Sequence, residues 1–170
     1  MDKMEKLTRC YKKVEQELHD IGIDASHVRK LKINSRAKTR FGQCELIAED
    51  PDAFDIEISS SLIELAPEWG IKTVIAHEII HTLPNCFNHG TEFKKYADKI
   101  NKAYPEYNIE SRSNAEDLGF STEDLPCKFK HKIVCTKCGL ITYRQRSTNF
   151  TEHVEQYHCA HCSGKLRKEY

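Results

Sequence analysis

The hydrophobic positions change period along the chain, and the changes predict an α+β fold. Between residues 2 and 20 the apolar residues recur at helical spacing, with lysine and glutamate between them: Leu7, Tyr11, Val14 and Leu18. This spacing predicts an amphipathic helix with one face on a core, which Gly22 is placed to end. From Val28 to about Ile63 apolar residues alternate with polar ones, and this alternation predicts two or three short antiparallel strands.

Two further helices are predicted over residues 68–83 and 91–103. Pro84 and Pro105 close them, because proline removes a backbone donor and clashes with the preceding turn. The stretch 106–126 is polar and rich in Ser, Asn, Glu and Asp. It is interpreted either as a linker or as a segment docked on the first domain.

Composition and charge exclude several classes of protein. The chain has 39% apolar and 31% charged residues, which is typical of a globular protein rather than a disordered one. It contains no apolar run near the roughly 18 residues that a membrane-spanning helix needs. The first six residues have no apolar core of the kind found in a signal peptide, so the cytoplasm is the expected location.

The charge is unevenly distributed although the whole chain is neutral. Residues 127–170 contain nine Lys or Arg and three Glu, a net charge of +6, so residues 1–126 carry −6. This division, together with the cysteine spacing described below, predicts two domains, 1–126 and 127–170.

His77 and His81 lie four residues apart in the second predicted helix. Their rings therefore project from one face, with Cβ atoms about 6 Å apart, and both reach one zinc ion at about 2.0–2.1 Å. Glu78 lies about 100° round the helix from His77, where its carboxylate can act on a metal-activated water without being a ligand. The opposite face carries an apolar row that anchors the helix: Ile71, Ile75, Ile79 and Leu83.

A catalytic zinc ion usually has three protein ligands and one open position, so a third ligand is needed. The metzincin pattern requires Gly and His at positions where this chain has Pro84 and Phe87, which excludes that subclass. His89 is the favoured third ligand, because Gly90 allows a tight turn into the next helix. Glu92, the ligand expected of a gluzincin, is the alternative.

The run from His77 to His81, followed by the motif His-Gly-Thr-Glu-Phe-Lys at residues 89–94, resembles the SprT-like zincins. Their pattern is HExxH, a loop of variable length, and then His-Gly-x-x-Phe/Trp at the start of a helix. Residues 40–44 and 56–59 also resemble the β-strand region of that family, so the resemblance extends over most of residues 1–110. Its members include Spartan-type proteases, which degrade proteins crosslinked to DNA, and a C-terminal zinc ribbon is common in its bacterial members.

This resemblance implies a zincin-like metallopeptidase domain with an N-terminal helix, a small antiparallel sheet and an HExxH helix. It implies that His77, His81 and His89 are the ligands of a catalytic zinc ion, and that Glu78 is the catalytic base. The loop between His81 and His89 is shorter than in Spartan, which implies a difference in how the active site is covered.

Two CxxC motifs separated by 20 residues predict a second metal site in a small β zinc ribbon: Cys135 and Cys138, Cys159 and Cys162. Four thiolates complete a closed tetrahedron with Zn–S distances of about 2.3 Å, so this zinc is structural and the chain holds two zinc ions. Replacement of a cysteine by His158 or His161 is the less favoured alternative. The other cysteines are interpreted as free thiols: Cys10, Cys44, Cys86 and Cys127.

Basic and aromatic residues alternate in the ribbon, a composition that suits phosphate contacts and base stacking. They are Lys128, Phe129, Lys130, Lys132, Lys137, Tyr143, Arg144, Arg146, Phe150 and Tyr157. Arg29–Arg40 adds six basic residues and no acid. DNA is therefore a candidate partner of the ribbon. The alternative is a solvated basic surface over a small aromatic core.

The favoured function is that of a zinc metalloendopeptidase that acts on protein or peptide substrates, with DNA-associated proteins as candidates. An extended peptide is expected to pair with an exposed strand near Ile56 to Ser59. The alternative function is a nucleic-acid- or protein-binding module whose zincin site is inactive or structural.

Overall fold

The computed structural model describes residues 2–126 and 129–170, and the chain forms two units, Met1–Pro126 and Cys127–Tyr170. Five α-helices and two three-stranded sheets lie in the described residues, so the predicted α+β class is confirmed. Cys127, predicted as a free thiol, and Lys128, counted in the basic ribbon, lie outside the described residues. Within those residues, no helix combines the length and the apolar character needed to cross a bilayer.

The first unit contains four helices: α1 Lys3–Asp20, α2 Ser60–Leu65, α3 Glu68–His81 and α4 Thr91–Ala103. Helix α1 buries one stripe, which consists of Leu7, Cys10, Val14 and Leu18. Tyr11, predicted to belong to this stripe, is only half-buried, because the Cys10 position faces the core more directly. Gly22 follows the helix with φ +68°, a left-handed conformation that favours glycine.

The sheet of the first unit has three strands in the order β1-β3-β2: β1 His27–Asn34, β2 Gly42–Ile47 and β3 Asp50–Ser59. Strands β2 and β3 are antiparallel, as predicted. Strands β1 and β3 are parallel, so the prediction of a wholly antiparallel sheet is wrong. Successive hairpins would place β2 in the centre, but β3 inserts between the other two strands.

The central position of β3 follows from its apolar content. Four of its apolar residues, on both faces of the strand, are buried: Ala53, Phe54, Ile56 and Ile58. A strand that is covered on both faces is typical of the centre of a sheet. The alternation of apolar and polar residues identifies a strand, but it does not identify the neighbours of that strand. The expectation that a peptide pairs near Ile56 to Ser59 is therefore wrong, because both edges of β3 are occupied.

An ionic cluster fixes β1 against β3. The buried carboxylate of Asp55 accepts hydrogen bonds from Arg29 Nε at 3.0 Å and Arg29 Nη2 at 2.9 Å, and lies 2.6 Å from Lys32 Nζ. The hydrogen bond from Arg29 is the main reason that the pKa of Asp55 falls to about 2. Three of the six basic residues of Arg29–Arg40 thus have an acidic partner, since Arg40 lies 3.2 Å from Glu57.

Helix α3 is buried on nearly every side, between α1, the sheet and α4. Residues 106–126 also lie on this unit and bury six side chains: Tyr107, Ile109, Ala115, Leu118, Phe120 and Leu125. Gly70 allows their close approach, because a Cβ atom there would collide with the carbonyl group of Leu118. This segment reaches the histidine end of α3, where its backbone becomes part of the site.

The second unit contains a three-stranded antiparallel sheet in the order β5-β4-β6: β4 His131–Cys135, β5 Ile141–Arg144 and β6 Leu166–Lys168. A one-turn helix, α5, spans Asn149–Glu152. Each CxxC motif is followed directly by a residue with positive φ, Gly139 at +74° and Ser163 at +55°. These turns allow Gly139 N–H to donate to Cys135 O at 3.0 Å and Ser163 N–H to donate to Cys159 O at 2.8 Å.

Candidate metal centre and adjacent cleft

Three imidazole rings converge at the C-terminal end of α3. His77 and His81 come from one face of that helix, and His89 comes from the loop that precedes α4. His77 Nε2 lies 3.2 Å from His81 Nε2 and 3.0 Å from His89 Nε2, and all three ligand atoms lie within 4.8 Å of one another. Four ligands arranged tetrahedrally at about 2.05 Å from zinc stand about 3.3 Å apart, so this cluster fits zinc.

The loop that presents His89 is short and tightly turned. Asn85, directly after Pro84, has φ +60°, a left-handed conformation that asparagine tolerates well. Asn88 Oδ1 then accepts a hydrogen bond from Gly90 N at 3.0 Å, immediately before α4. These turns reverse the chain within eight residues and place the His89 ring against the other two.

The backbone orients the two helical histidines. His77 Nδ1–H donates to Glu110 O at 3.0 Å, and His81 Nδ1–H donates to Cys86 O at 2.7 Å. A proton on each Nδ1 leaves each Nε2 with its lone pair free for a metal ion. Burial lowers the pKa of His77 to about 3 and also lowers that of His81, so both rings are neutral at pH 7.

The Phe93 ring packs against all three histidine rings. Its centroid lies 4.9 Å from the His77 and His81 centroids and 4.8 Å from the His89 centroid, and the side chain is buried. The ring restricts the rotation of all three imidazoles.

Glu78 lies beside the histidines but is not one of the converging ligands. Its side chain is only 6% exposed, and its carboxylate accepts a hydrogen bond from the backbone N–H of Cys44 in β2. Burial raises the pKa of Glu78 to about 8, against the opposing influence of the Arg40 charge and the Cys44 N–H. A carboxyl group with this pKa exchanges protons readily near neutral pH.

Gly42 sets the distance between β2 and Glu78. A Cβ atom at residue 42 would lie 2.7 Å from Val74 Cγ1 and 2.8 Å from Glu78 Cγ, well inside van der Waals contact. We expect Gly42→Ala to displace the Glu78 carboxylate and to lower peptide hydrolysis by about 10–100-fold, with unchanged zinc content. Gln43→Ala, a change on the opposite face of β2, is the control. Equal activity of the two variants would show that the position of Glu78 does not depend on Gly42.

Asn101 of α4 holds the segment that carries the Glu110 carbonyl group. Its Nδ2 donates to Ile109 O at 2.9 Å, and its Oδ1 accepts from Ile109 N at 2.6 Å. Tyr107 adds two further anchors, because its carbonyl oxygen accepts from Thr73 Oγ1 at 2.7 Å and its hydroxyl group donates to Glu17. The segment that carries the Glu110 carbonyl group, the hydrogen-bond partner of His77, is thus held by side chains of α1, α3 and α4.

We expect Asn101→Ala to weaken metal binding by the three histidines about tenfold, because outer hydrogen bonds orient metal ligands. The metal affinity of Asn101→Asp should lie between that of the unmodified protein and that of Asn101→Ala, since aspartate keeps the acceptor for Ile109 N–H. Competition with a chromophoric chelator measures the affinity, and the cysteine site provides an internal reference that should not change. A lower melting temperature with undiminished affinity would mean that Asn101 only stabilises the fold.

Glu92, the alternative third ligand, lies apart from the histidine cluster. It is on the first turn of α4, where its partly exposed carboxylate accepts a hydrogen bond from Lys95 Nζ at 2.7 Å. The group of close metal-binding side chains in this part of the described chain contains His89 and not Glu92.

The four cysteines form a second cluster in the C-terminal unit. Cys135 Sγ lies 3.5 Å from Cys162 Sγ, and Cys138 Sγ lies 3.7 Å from Cys159 Sγ. Four sulfurs at about 2.3 Å from zinc stand about 3.8 Å apart, so this cluster also fits zinc. Gly164 allows the close packing, because a Cβ atom there would lie 3.0 Å from Cys135 Sγ.

The aromatic residues of the C-terminal unit form two contacting pairs. The Phe129 and Tyr143 centroids lie 5.2 Å apart, and the Phe150 and Tyr157 centroids lie 5.1 Å apart. Basic groups lie over both pairs, with Lys132 Nζ 6.0 Å from the Tyr143 centroid and the Arg144 guanidinium 5.8 Å from the Phe150 centroid. Tyr143 and Phe150 are half-buried, so the pairs serve partly as a core and partly as surface.

The fold and the two clusters define an α+β protein with one candidate three-histidine metal site and one candidate four-cysteine site. The SprT-like family matches residues 7–113, well over half of the chain, and the chain belongs to that family. The family is generally one of zincin-like metallopeptidase domains. The resemblance predicted from the histidine motifs is therefore confirmed, whereas no curated protein matches the chain.

Several groups around the site could not be predicted from the sequence. The carbonyl oxygens of Cys86 and Glu110 have no side-chain signature, and Asn101 lies outside the histidine motifs. Phe93 belongs to the family motif, but its contact with all three rings is a tertiary feature. Gly42 had a signal, since a glycine at the start of a strand often marks the close approach of another group.

Proposed function

We propose that this protein is a zinc metallopeptidase, with His77, His81 and His89 as ligands of the catalytic zinc ion and Glu78 as general base. The observation that carries the proposal is the convergence of three imidazoles beside a buried carboxyl group that is not among the converging ligand atoms. A purely structural zinc site usually has four protein ligands. Three ligands and an adjacent base are the arrangement found at hydrolytic zinc sites.

Zinc bound by these histidines would act as a Lewis acid that activates water and polarises a substrate carbonyl group. The Glu78 carboxylate takes a proton from the attacking water and passes it to the leaving amine as the peptide bond breaks. The Cys44 N–H holds the carboxylate in the orientation for this transfer. Burial raises the pKa of Glu78, which makes its carboxylate a stronger base towards the attacking water.

The free edge of β2 is the proposed position of an extended substrate. Ser59 N–H donates to Phe41 O at 2.8 Å, so Phe41 faces β3 and the next residue, Gly42, faces away from it. Cys44, two residues further on, faces away in the same manner, and its N–H is bound to the Glu78 carboxylate, so the backbone at Gly42 is the part of this edge proposed to pair with a peptide. A peptide paired with this edge lies next to Glu78, whereas the previously expected strand, β3, has no free edge.

A cleavage assay tests the proposal. The full chain should hydrolyse an unstructured polypeptide, lose that activity in a zinc chelator, and regain it when zinc is restored. The assay is run with and without single-stranded DNA, because family resemblance makes DNA-associated proteins candidate substrates. If the protein holds zinc at both sites but cleaves nothing under either condition, the alternative is supported, namely a binding module with an inactive zincin site.

For the C-terminal unit we propose a structural zinc ion on Cys135, Cys138, Cys159 and Cys162, and contact with nucleic acid through the basic surface. The observation in favour is the net charge of +6 on residues 127–170, with exposed Lys137, Arg144 and Arg146. Fluorescence anisotropy with a labelled single-stranded oligonucleotide should show binding that weakens steeply with salt. Arg144→Gln should weaken binding and reduce the salt dependence, and binding that is insensitive to salt would contradict the proposal.

A further inference from the structure

A cleft of about 340 Å³ opens directly beside Glu78 and His77. One wall is formed by residues 39–42, which lead into β2, and the opposite wall by residues 111–113. The floor is formed by four residues of α3: Thr73, Val74, His77 and Glu78. Because this cleft adjoins the proposed base and one proposed metal ligand, it is where side chains of a bound substrate would lie.

The lining of this cleft is strongly biased in charge. Each wall contributes one arginine, Arg40 on the β2 side and Arg112 on the other, and Glu78 is the only carboxylate among the lining residues. Both arginines line the same cleft as Glu78 and His77, so their positive charges act on the proposed reaction centre. Arg40 also lies 3.2 Å from Glu57, outside the cleft, which holds its side chain in place.

The positive cleft contrasts with the domain around it. Residues 1–126 carry a net charge of −6, yet the loop from Ser35 to Phe41 contains three basic residues and no acid. Two of them, Arg36 and Lys38, are exposed beside Arg40. Other basic residues of this region, Arg29 and Lys32, are bound to Asp55, whereas Arg36 and Lys38 add positive charge to the loop that leads to the cleft.

We propose that this cleft selects polypeptide segments with an acidic side chain close to the bond that is cut, and that Arg112 and Arg40 recognise its carboxylate. The proposal rests on the peptidase function and names its substrate class. A guanidinium group binds a carboxylate in a planar two-point geometry, and a cleft of one sign attracts the opposite charge. A neutral or basic side chain at the same position gains neither contact.

Matched peptides test the charge preference. A single sequence is varied at positions within about three residues of the scissile bond, since each extended residue spans about 3.3–3.6 Å. Each position carries in turn Glu, Gln or Lys. We expect one position at which the Glu peptide has a kcat/KM about five- to tenfold above the Gln peptide, mainly through a lower KM, with the Lys peptide lowest.

Charge reversal then locates the recognising group. Arg112→Glu should invert the Glu-to-Lys ratio of kcat/KM at that position. Lys102→Glu makes the same change in net charge on the exposed side of α4, outside the cleft, and should leave the ratio as it is. Equal rates for all three peptides, or an equal response to both variants, would overturn the proposal while the peptidase function stands.

A binding measurement separates failure of this proposal from failure of the peptidase function. The Glu78→Gln variant, saturated with zinc, is titrated with the labelled Glu and Lys peptides. Tighter binding of the Glu peptide with no cleavage by the unmodified protein would support acidic recognition and reject the peptidase function. Displacement of the Glu peptide by a short oligothymidylate, with no difference between the Glu and Lys peptides, would mean that the cleft binds nucleic acid and would overturn the proposal.

Discussion

Replacing Glu78 by glutamine should lower peptide hydrolysis by about 10²–10⁴-fold and leave the zinc content at two ions per chain. The amide oxygen of glutamine still accepts the hydrogen bond from Cys44 N–H, so the local structure is retained. An amide cannot take a proton from water at neutral pH, and the step that generates the nucleophile is lost. Initial rates on an unstructured polypeptide and metal analysis of the same sample measure the two quantities.

Glu92→Gln is the matched control for this change. It makes the same chemical substitution on an exposed glutamate of α4 that pairs with Lys95, and it should retain full activity. Activity of Glu78→Gln equal to that of Glu92→Gln would remove Glu78 from the mechanism. Simultaneous loss of zinc and activity in Glu78→Gln would instead indicate that this carboxylate is a metal ligand.

Replacing His89 by alanine should reduce the zinc content after dialysis against a moderate chelator from two ions per chain to one, and abolish hydrolysis. His77 and His81 keep their hydrogen bonds to Glu110 O and Cys86 O and so stay in position. Two imidazoles, however, bind zinc much more weakly than three. The cysteine cluster belongs to the other unit and keeps its zinc. Inductively coupled plasma measurement of zinc against protein concentration gives the ratio.

Two controls decide which residue is the third ligand. His27→Ala removes an exposed histidine of β1 and should retain both ions. Glu92→Gln should also retain both ions if His89 is the ligand. Retention of two ions by His89→Ala together with loss of one by Glu92→Gln would establish the gluzincin alternative and reject the three-histidine centre.

The positions of α1, α3 and α4 could be read from the sequence because each depends on local features, whereas most of α2, Ser60–Leu65, lies in the stretch predicted to form strands. Helix α4 begins at Thr91 and ends at Ala103, between the predicted signals Gly90 and Pro105. The order of the strands could not be read in this way. Whether β3 pairs with β1 in a parallel manner depends on which strand occupies the centre, and that is a property of the whole core.

The same distinction between local and tertiary features applies to the candidate site. The sequence by itself determined the residue types and their spacing: an i, i+4 pair of histidines with a glutamate between them, a histidine before a glycine turn, and two CxxC motifs. These patterns are local, so the chemistry of helices and turns is enough to predict what each can bind.

Only the tertiary structure decided which groups surround those residues. It brings Glu110 O to His77, Cys44 N–H to Glu78, and Arg112 to the wall opposite Arg40. Each of these contacts joins segments more than thirty residues apart, through backbone groups or exposed side chains that have no distinctive pattern. They form because α3 is buried between the sheet and the segment 106–126, and burial of apolar side chains on all of these elements fixes their positions together.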